Sequence, residues 1–130
     1  KYRTVRYGNV LYSTGSVLCK WKERMANKQP IVLTDEHATR FYWTVDQAVS
    51  LIFECLEHAK DSKPFHTPMK AIRMGDLLQA MVKKYNDGRM PDMKVIGLQP
   101  GENMHEIIAE DGQDSSIAPK HTLEEIIEMI

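Results

Sequence analysis

The chain has 130 residues, 42% of them hydrophobic and 27% charged, with a formal net charge of −1. This size and mix predict one compact domain over residues 1–130 and exclude a disordered chain. With no apolar run near the roughly 18 residues that cross a bilayer, and no leader with a charged start, apolar middle and small-residue cleavage site, the sequence predicts a soluble, cytoplasmic protein without a membrane partner.

Thr4 to Tyr12 alternates β-branched and aromatic residues and predicts a strand, followed by the turn and cap residues Ser13-Thr14-Gly15-Ser16. Val17, Leu18, Trp21 and Met25 then recur at helical spacing over Val17 to Ala26. Ile31 to Thr34 reads as a short strand and Thr39 to Trp43 as another. Thr44 with Gln47 has the form of a capping box, ahead of a helix whose apolar stripe is Ala48, Leu51, Ile52, Cys55 and Leu56. Lys60 to Pro64 reads as a loop and Phe65 to Thr67 as an edge strand. A helix beginning at Met74-Gly75-Asp76 carries Leu77, Leu78, Met81 and Val82 and closes at Asp87-Gly88. Met93 to Leu98 predicts a strand, Gln99-Pro100-Gly101 a turn, and His121-Thr122-Leu123 the start of a last short helix through Ile130. Strands alternating with helices make this an α/β domain.

Several chemistries lack their residues. A dinucleotide-binding turn needs G-x-G-x-x-G after a strand, so that backbone can approach a pyrophosphate at a helix N-terminus, and no such fingerprint is present. None of the five Tyr has Lys four residues later, and no P-loop, H-E-x-x-H or G-x-S-x-G pattern occurs. Cys19 and Cys55 are too few for a disulfide framework or zinc site. Lys1, Arg3, Arg6, Lys20, Lys22, Arg24 and Lys28 make the first segment basic, but without an RNA-type aromatic motif or excess positive charge no nucleic-acid partner is expected. His105-Glu106, on an expected helix, could serve as an acid/base or metal pair; a surface or capping role is the alternative. Glu124, Glu125 and Glu128 read as a solvated helix face and the many Met as core fillers.

Four motifs in order carry a resemblance: "RYGNVLYSTGSV", "VLTDEHATRF", "VDQAV" and "KVIGLQPGENMHE". Together they resemble the inverting UDP-N-acetylglucosamine 4,6-dehydratases and their capsule and flagellin-glycosylation relatives, which are extended short-chain dehydrogenases. The resemblance implies a late Rossmann strand plus the small C-terminal substrate-binding subdomain, with the N-terminal cofactor half absent. It further implies that NADP and the catalytic groups belong to the complete enzyme, that this chain binds no cofactor itself and is catalytically incomplete, and that its partners are a UDP-sugar and either the missing Rossmann half or a second copy.

Residue by residue, the resemblance places Asn9 on the substrate, Val10, Leu11, Tyr12, Ser13, Thr14 and Val17 along the nucleotide, and Thr34 near the uridine. Arg40 matches the arginine that grips the nucleotide, a role suited to its planar fork of donors. Gln99 and Glu102 lie in the turn that carries a phosphate ligand in the family. Asn9 as a turn or strand-end cap, and Arg40 as a surface ion pair with Asp35 or Glu36, are the competing structural readings. Three departures bear on substrate: Gln99 and Asn103 stand where the family has Arg and Lys, Thr14 stands where relatives often have Arg, and the tail "SSIAPKHTLEEI" lacks a family asparagine. They keep open a stand-alone, non-catalytic module that binds a sugar nucleotide or a partner subunit.

Overall fold

A computed structural model describes residues 2–6, 8–67, 69–107 and 114–130. Tyr7, inside the first expected strand, lies outside the described residues. The described strands are β1 (Thr4–Val5), β2 (Asn9–Val10), β3 (Ile31–Leu33), β4 (Thr39–Arg40), β5 (Tyr42–Trp43), β6 (Pro64–Phe65), β7 (Ile72–Arg73) and β8 (Met93–Val95). The helices are α1 (Val17–Ala26), α2 (Val45–His58), α3 (Met74–Tyr85) and α4 (Leu123–Met129). The strands pair two by two: β1 with β6, β2 with β5 and β3 with β8 in parallel, and β4 with β7 antiparallel.

Two expected strands are each divided, because the chain changes partner within them. Thr4 to Tyr12 becomes β1 and β2, on β6 and β5 respectively. At the break sits Gly8, where an added Cβ would lie 2.4 Å from the Phe41 carbonyl oxygen. Thr39 to Trp43 likewise becomes β4 on β7 and β5 on β2, with Phe41 between them. The strands expected at 31–34, 65–67 and 93–98 shorten or shift to β3, β6 and β8, and Pro64, expected in a loop, opens β6. His105 and Glu106 are not helical; they lie in an irregular segment.

The strand period of two builds two cores from one ribbon. Leu11 and Tyr42 face a cluster with Leu18, Trp21 and Met25 of α1, Ile31 and Leu33 of β3, Leu77, Leu78 and Met81 of α3 and Ile126 of α4. Phe41 and Trp43 face the other way, onto Ala48 and Leu51 of α2, with Val5, Val10 and Phe65 packed alongside. The β2–β5 pair is therefore the partition between two apolar clusters. Trp21 fixes α1 to β3 by donating its indole N–H to the Val32 carbonyl at 3.1 Å.

The expected capping box opens α2: Thr44 accepts from the Gln47 N–H, and Gln47 Oε1 accepts from the Thr44 N–H. A second box, Thr122 with Glu125, opens α4. The stripe expected along α2 is only half buried, since Ala48, Leu51 and Cys55 pack inward while Ile52 and Leu56 are 41% and 56% exposed. Met25, Met74 and Met81 do fill the core, whereas Met90 and Met93 are exposed. Among the late carboxylates, Glu124 and Glu128 face solvent but Glu125 does not stand alone. It accepts from Lys70 Nζ at 3.0 Å and lies 3.3 Å from His121 Nδ1.

Two measurements follow. Gly8→Ala forces a side chain against Phe41 backbone, and should cost about 1–3 kcal/mol in urea denaturation; wild-type stability would mean the β1–β2 break does not depend on that close approach. At Glu125, the Lys70 contact first, then the Thr122 N–H and His121, lower the carboxyl from 4.5 to about 2. A depressed carboxyl stabilises the fold above its ordinary value and loses that contribution as pH falls through the folded one. The stability gap between wild type and Glu125→Gln should therefore be open near neutral pH and close as pH falls from 4.5 to about 2. A gap independent of pH would show that Glu125 is not held ionised by these partners.

Candidate functional site

The turn after β2 leads directly into α1. Ser13 N–H donates to the Val10 carbonyl and Ser16 N–H to the Ser13 carbonyl, at 3.3 and 2.9 Å. Ser16 is the N-cap residue, yet its side chain makes no capping bond and its Oγ is buried without a partner. No acidic residue stands in the first turn of α1. The helix thus begins with uncapped N–H groups and the positive end of its dipole toward a cavity, an arrangement that favours an anion.

That cavity, of about 420 Å³, is lined by Asn9, Ser13, Thr14, Gly15, Ser16, Val17, Thr34, Ala38, Arg40, Tyr42, Met74 and Glu102. Of the residues singled out from sequence, Asn9, Ser13, Thr14, Val17, Thr34, Arg40 and Glu102 come together here. Leu11 does not, being 3% exposed in the larger core. Val10 packs against the smaller core on the opposite side of the ribbon. Tyr12, with φ of 62°, turns away so that its hydroxyl meets that of Tyr85 at 2.8 Å and the Ile130 carbonyl at 3.3 Å. Burial, and then the Tyr85 hydroxyl, raise the Tyr12 phenol well above its ordinary value. Gln99 stands outside the lining and donates to the Gly97 carbonyl at 3.2 Å. The turn it opens forms as expected, closed by the Glu102 N–H on the Gln99 carbonyl at 3.0 Å with Gly101 at φ 85°.

Tyr42 was not foreseen as a lining residue, although strand alternation carries the signal: Phe41 and Trp43 share one face, leaving Tyr42 on the cavity side. Burial, and then the Glu106 carboxylate, push its phenol up to about 12, so it remains a neutral donor at physiological pH.

Arg40 pairs with neither Asp35 nor Glu36. Asp35 instead caps the His37 N–H at 2.8 Å, and Glu36 lies 3.4 Å from His37 Nε2. The guanidinium of Arg40 meets Glu106 through Nε at 3.5 Å, donates from Nη1 to the Thr39 and Met104 carbonyls at 2.7 and 3.0 Å, and from Nη2 to the Asn103 carbonyl. Two N–H groups of Nη1 and one of Nη2 are thereby committed to hydrogen bonds and Nε faces the Glu106 carboxylate, leaving the second N–H of Nη2 for a ligand. Behind this contact, the Thr39 hydroxyl lies 2.6 Å from His105 Nδ1 and 2.7 Å from the Ser115 hydroxyl, and Ser115 Oγ accepts the Glu106 N–H at 2.7 Å. His105 and Glu106 therefore clamp the 103–106 segment to β4. Among the described residues no group of three or more His, Cys, Asp or Glu converges as a metal site, and no helix is long and apolar enough to cross a membrane.

A family model described as a polysaccharide biosynthesis protein matches residues 1–127. The chain belongs to this family. It is 35% identical over 112 residues to an uncharacterized membrane protein of Methanocaldococcus jannaschii, a match covering 81% of this chain and 33% of the relative. It is 27% identical over 109 residues to the inverting UDP-N-acetylglucosamine 4,6-dehydratase of Campylobacter jejuni, covering 83% of this chain and 31% of the relative. Among solved structures, Pen from Bacillus thuringiensis superposes with a TM-score of 0.89 at 26% identity, over 100% of this chain and 49% of Pen. The chain thus spans about a third of the length of these curated relatives and about half of Pen. The expected fold class, a small α/β unit aligning with part of larger chains, is the one observed.

Because a lysine ammonium cannot reach four acceptors laid out for a planar fork, Arg40→Lys should lower stability by about 1–3 kcal/mol and speed exchange of the Thr39 amide, which donates to the Met104 carbonyl at 2.9 Å. Wild-type stability with unchanged exchange would show that the Arg40 contacts do not hold the 103–106 segment.

Proposed function

We propose that this chain is the sugar-nucleotide-binding portion of a UDP-sugar 4,6-dehydratase or a close epimerase relative, acting on UDP-N-acetylglucosamine and catalytically incomplete by itself. The convergence of Asn9, Ser13, Thr14, Val17, Thr34, Arg40 and Glu102 on one cavity at the N-terminus of α1 carries this assignment. Each group has a binding task suited to its chemistry. The uncapped start of α1, with the Ser16 hydroxyl and the remaining Arg40 N–H, takes the diphosphate. Glu102 offers carboxylate oxygens to ribose hydroxyls, and Thr34 lies alongside the nucleoside. These groups hold the UDP handle and so orient the sugar.

NADP does not fit the residues present. The turn into α1 has the single Gly15, and behind it Leu18, 0% exposed, fills the helix–strand contact that a fingerprint glycine would leave open. The cofactor therefore belongs to another part of the enzyme, and α2 offers a surface for that part: Val45, Val49, Ile52, Phe53 and Leu56 are 41 to 62% exposed along one stripe. The absent family cations favour a second reading, a non-catalytic sugar-nucleotide or subunit-binding module, since Gln99 is turned onto its own loop and the Asn103 carbonyl is held by Arg40.

Calorimetry should show one UDP-N-acetylglucosamine bound per chain and no binding of NADP, and incubation with both should give no loss of water by mass spectrometry. No heat with the sugar nucleotide up to millimolar concentration would remove the site. Turnover by the chain alone would place the catalytic groups within it and overturn the division of labour.

A further inference from the structure

The carboxylate of Glu106 has no part in the binding tasks above, although its side chain is only 25% exposed and lies behind the cavity wall. It accepts from Asn9 Nδ2 at 2.9 Å and from the backbone N–H of Phe41, and its Oε1 lies 3.5 Å from Arg40 Nε as an ion pair. Its backbone is fixed from both sides, since its N–H donates to Ser115 Oγ at 2.7 Å and its carbonyl accepts the Ser115 N–H at 2.8 Å. Asn9 is fixed as well, its own N–H donating to the Phe41 carbonyl at 2.8 Å.

From this geometry we infer that Glu106 is a positioning residue: it holds the Asn9 amide with its nitrogen on the carboxylate, so that the orientation of the amide lining the pocket is set. An ionised carboxylate only accepts, so the amide end that meets it must be the nitrogen, and the oxygen must point elsewhere. An unheld asparagine could turn either end to a ligand. Here the choice is made before the ligand arrives, which removes a reorganisation cost from binding. Resting on the sugar-nucleotide reading, this sets how Asn9 meets a ligand: its oxygen is left to accept from a donor, such as a sugar hydroxyl or the N–H of an acetamido group, and the second Nδ2 hydrogen is left to donate. Arg40 completes the arrangement by balancing the Glu106 charge, which burial otherwise disfavours.

The test has two arms on the 15N-labelled 130-residue chain. Without ligand, the Asn9 side-chain amide should show one proton strongly shifted and slow to exchange, and Glu106→Gln should collapse that shift and speed exchange about tenfold, since a charge-assisted bond becomes a neutral one. An Asn9 amide unchanged by Glu106→Gln overturns the inference. With UDP-N-acetylglucosamine as probe, Glu106→Gln should weaken binding about two- to fivefold in the wild-type background and leave it unchanged in an Asn9→Ala background. Equal losses in both backgrounds would mean Glu106 acts only through the Arg40 contact, and would also overturn it. If the wild-type chain binds no UDP-N-acetylglucosamine, the functional reading falls, while the ligand-free amide spectrum still decides whether Glu106 holds Asn9.

Discussion

The Arg40 guanidinium is the contact on which the site depends. Three backbone carbonyls and one carboxylate converge on it, one carbonyl from Thr39 of β4 and the others from residues 103–106. Arginine suits this place because its donors are planar and permanently charged, so three hydrogen bonds and an ion pair form with little further loss of side-chain freedom. Once the 103–106 segment is held, Glu106 reaches across to Asn9 on β2, and the Thr39 hydroxyl links the same segment to Ser115. Strands β2 and β4, far apart in sequence from residues 103–115, are thereby tied into one wall.

Local chemistry was legible and long-range partnership was not. Thr44 with Gln47 and Gln99-Pro100-Gly101 announce their structures because every group that makes the cap or the turn lies within four residues. The division of Thr4 to Tyr12 and of Thr39 to Trp43 has no such local cause. Both runs alternate correctly, but each changes neighbour at a residue, Gly8 or Phe41, whose role is visible only when the two are brought together. Within the site the same limit holds. The Ser13-to-Val17 turn is readable as a helix start, and the family resemblance sets it along a nucleotide together with Leu11 and Tyr12, which are instead drawn off by the core and by Tyr85. His105 and Glu106 stand out in the sequence only as titratable neighbours. Their work as clamps depends on Thr39, Arg40 and Asn9, which sequence spacing does not connect.

The position of the cavity follows from the two-sided ribbon. With Phe41 and Trp43 facing one apolar cluster and Tyr42 the other, β5 is buried on both faces, as parallel strands usually are, while in β2 beside it Asn9 is exposed and Val10 half-buried. The parts of this ribbon left free to meet a ligand are its ends and the loops that follow, which is where Asn9 and the turn into α1 lie. Polar groups at such a seam are backed by well-packed residues, so under the proposed function they would lose little order on binding.

Helix α2 shows the same logic at a larger scale. Its buried residues Ala48, Leu51 and Cys55 and its exposed apolar residues Val45, Val49, Ile52, Phe53 and Leu56 occupy adjacent faces, so more than half of its circumference is apolar, with Asp46, Ser50, Glu54 and Glu57 confined to the remainder. A helix packed on one side needs only a single apolar stripe, whereas one set between two layers needs both. Beside it β1 pairs only with β6 among the described strands, and Cys55 Sγ contacts the Thr4 carbonyl across that junction. Two short parallel strands with one helix do not make an independently stable layer. Under the proposed division of labour, a parallel sheet carrying the cofactor would continue β1 and cover the outer face of α2, while the two apolar clusters and the Arg40 contact would keep the sugar-nucleotide cavity in shape on the opposite side of the ribbon.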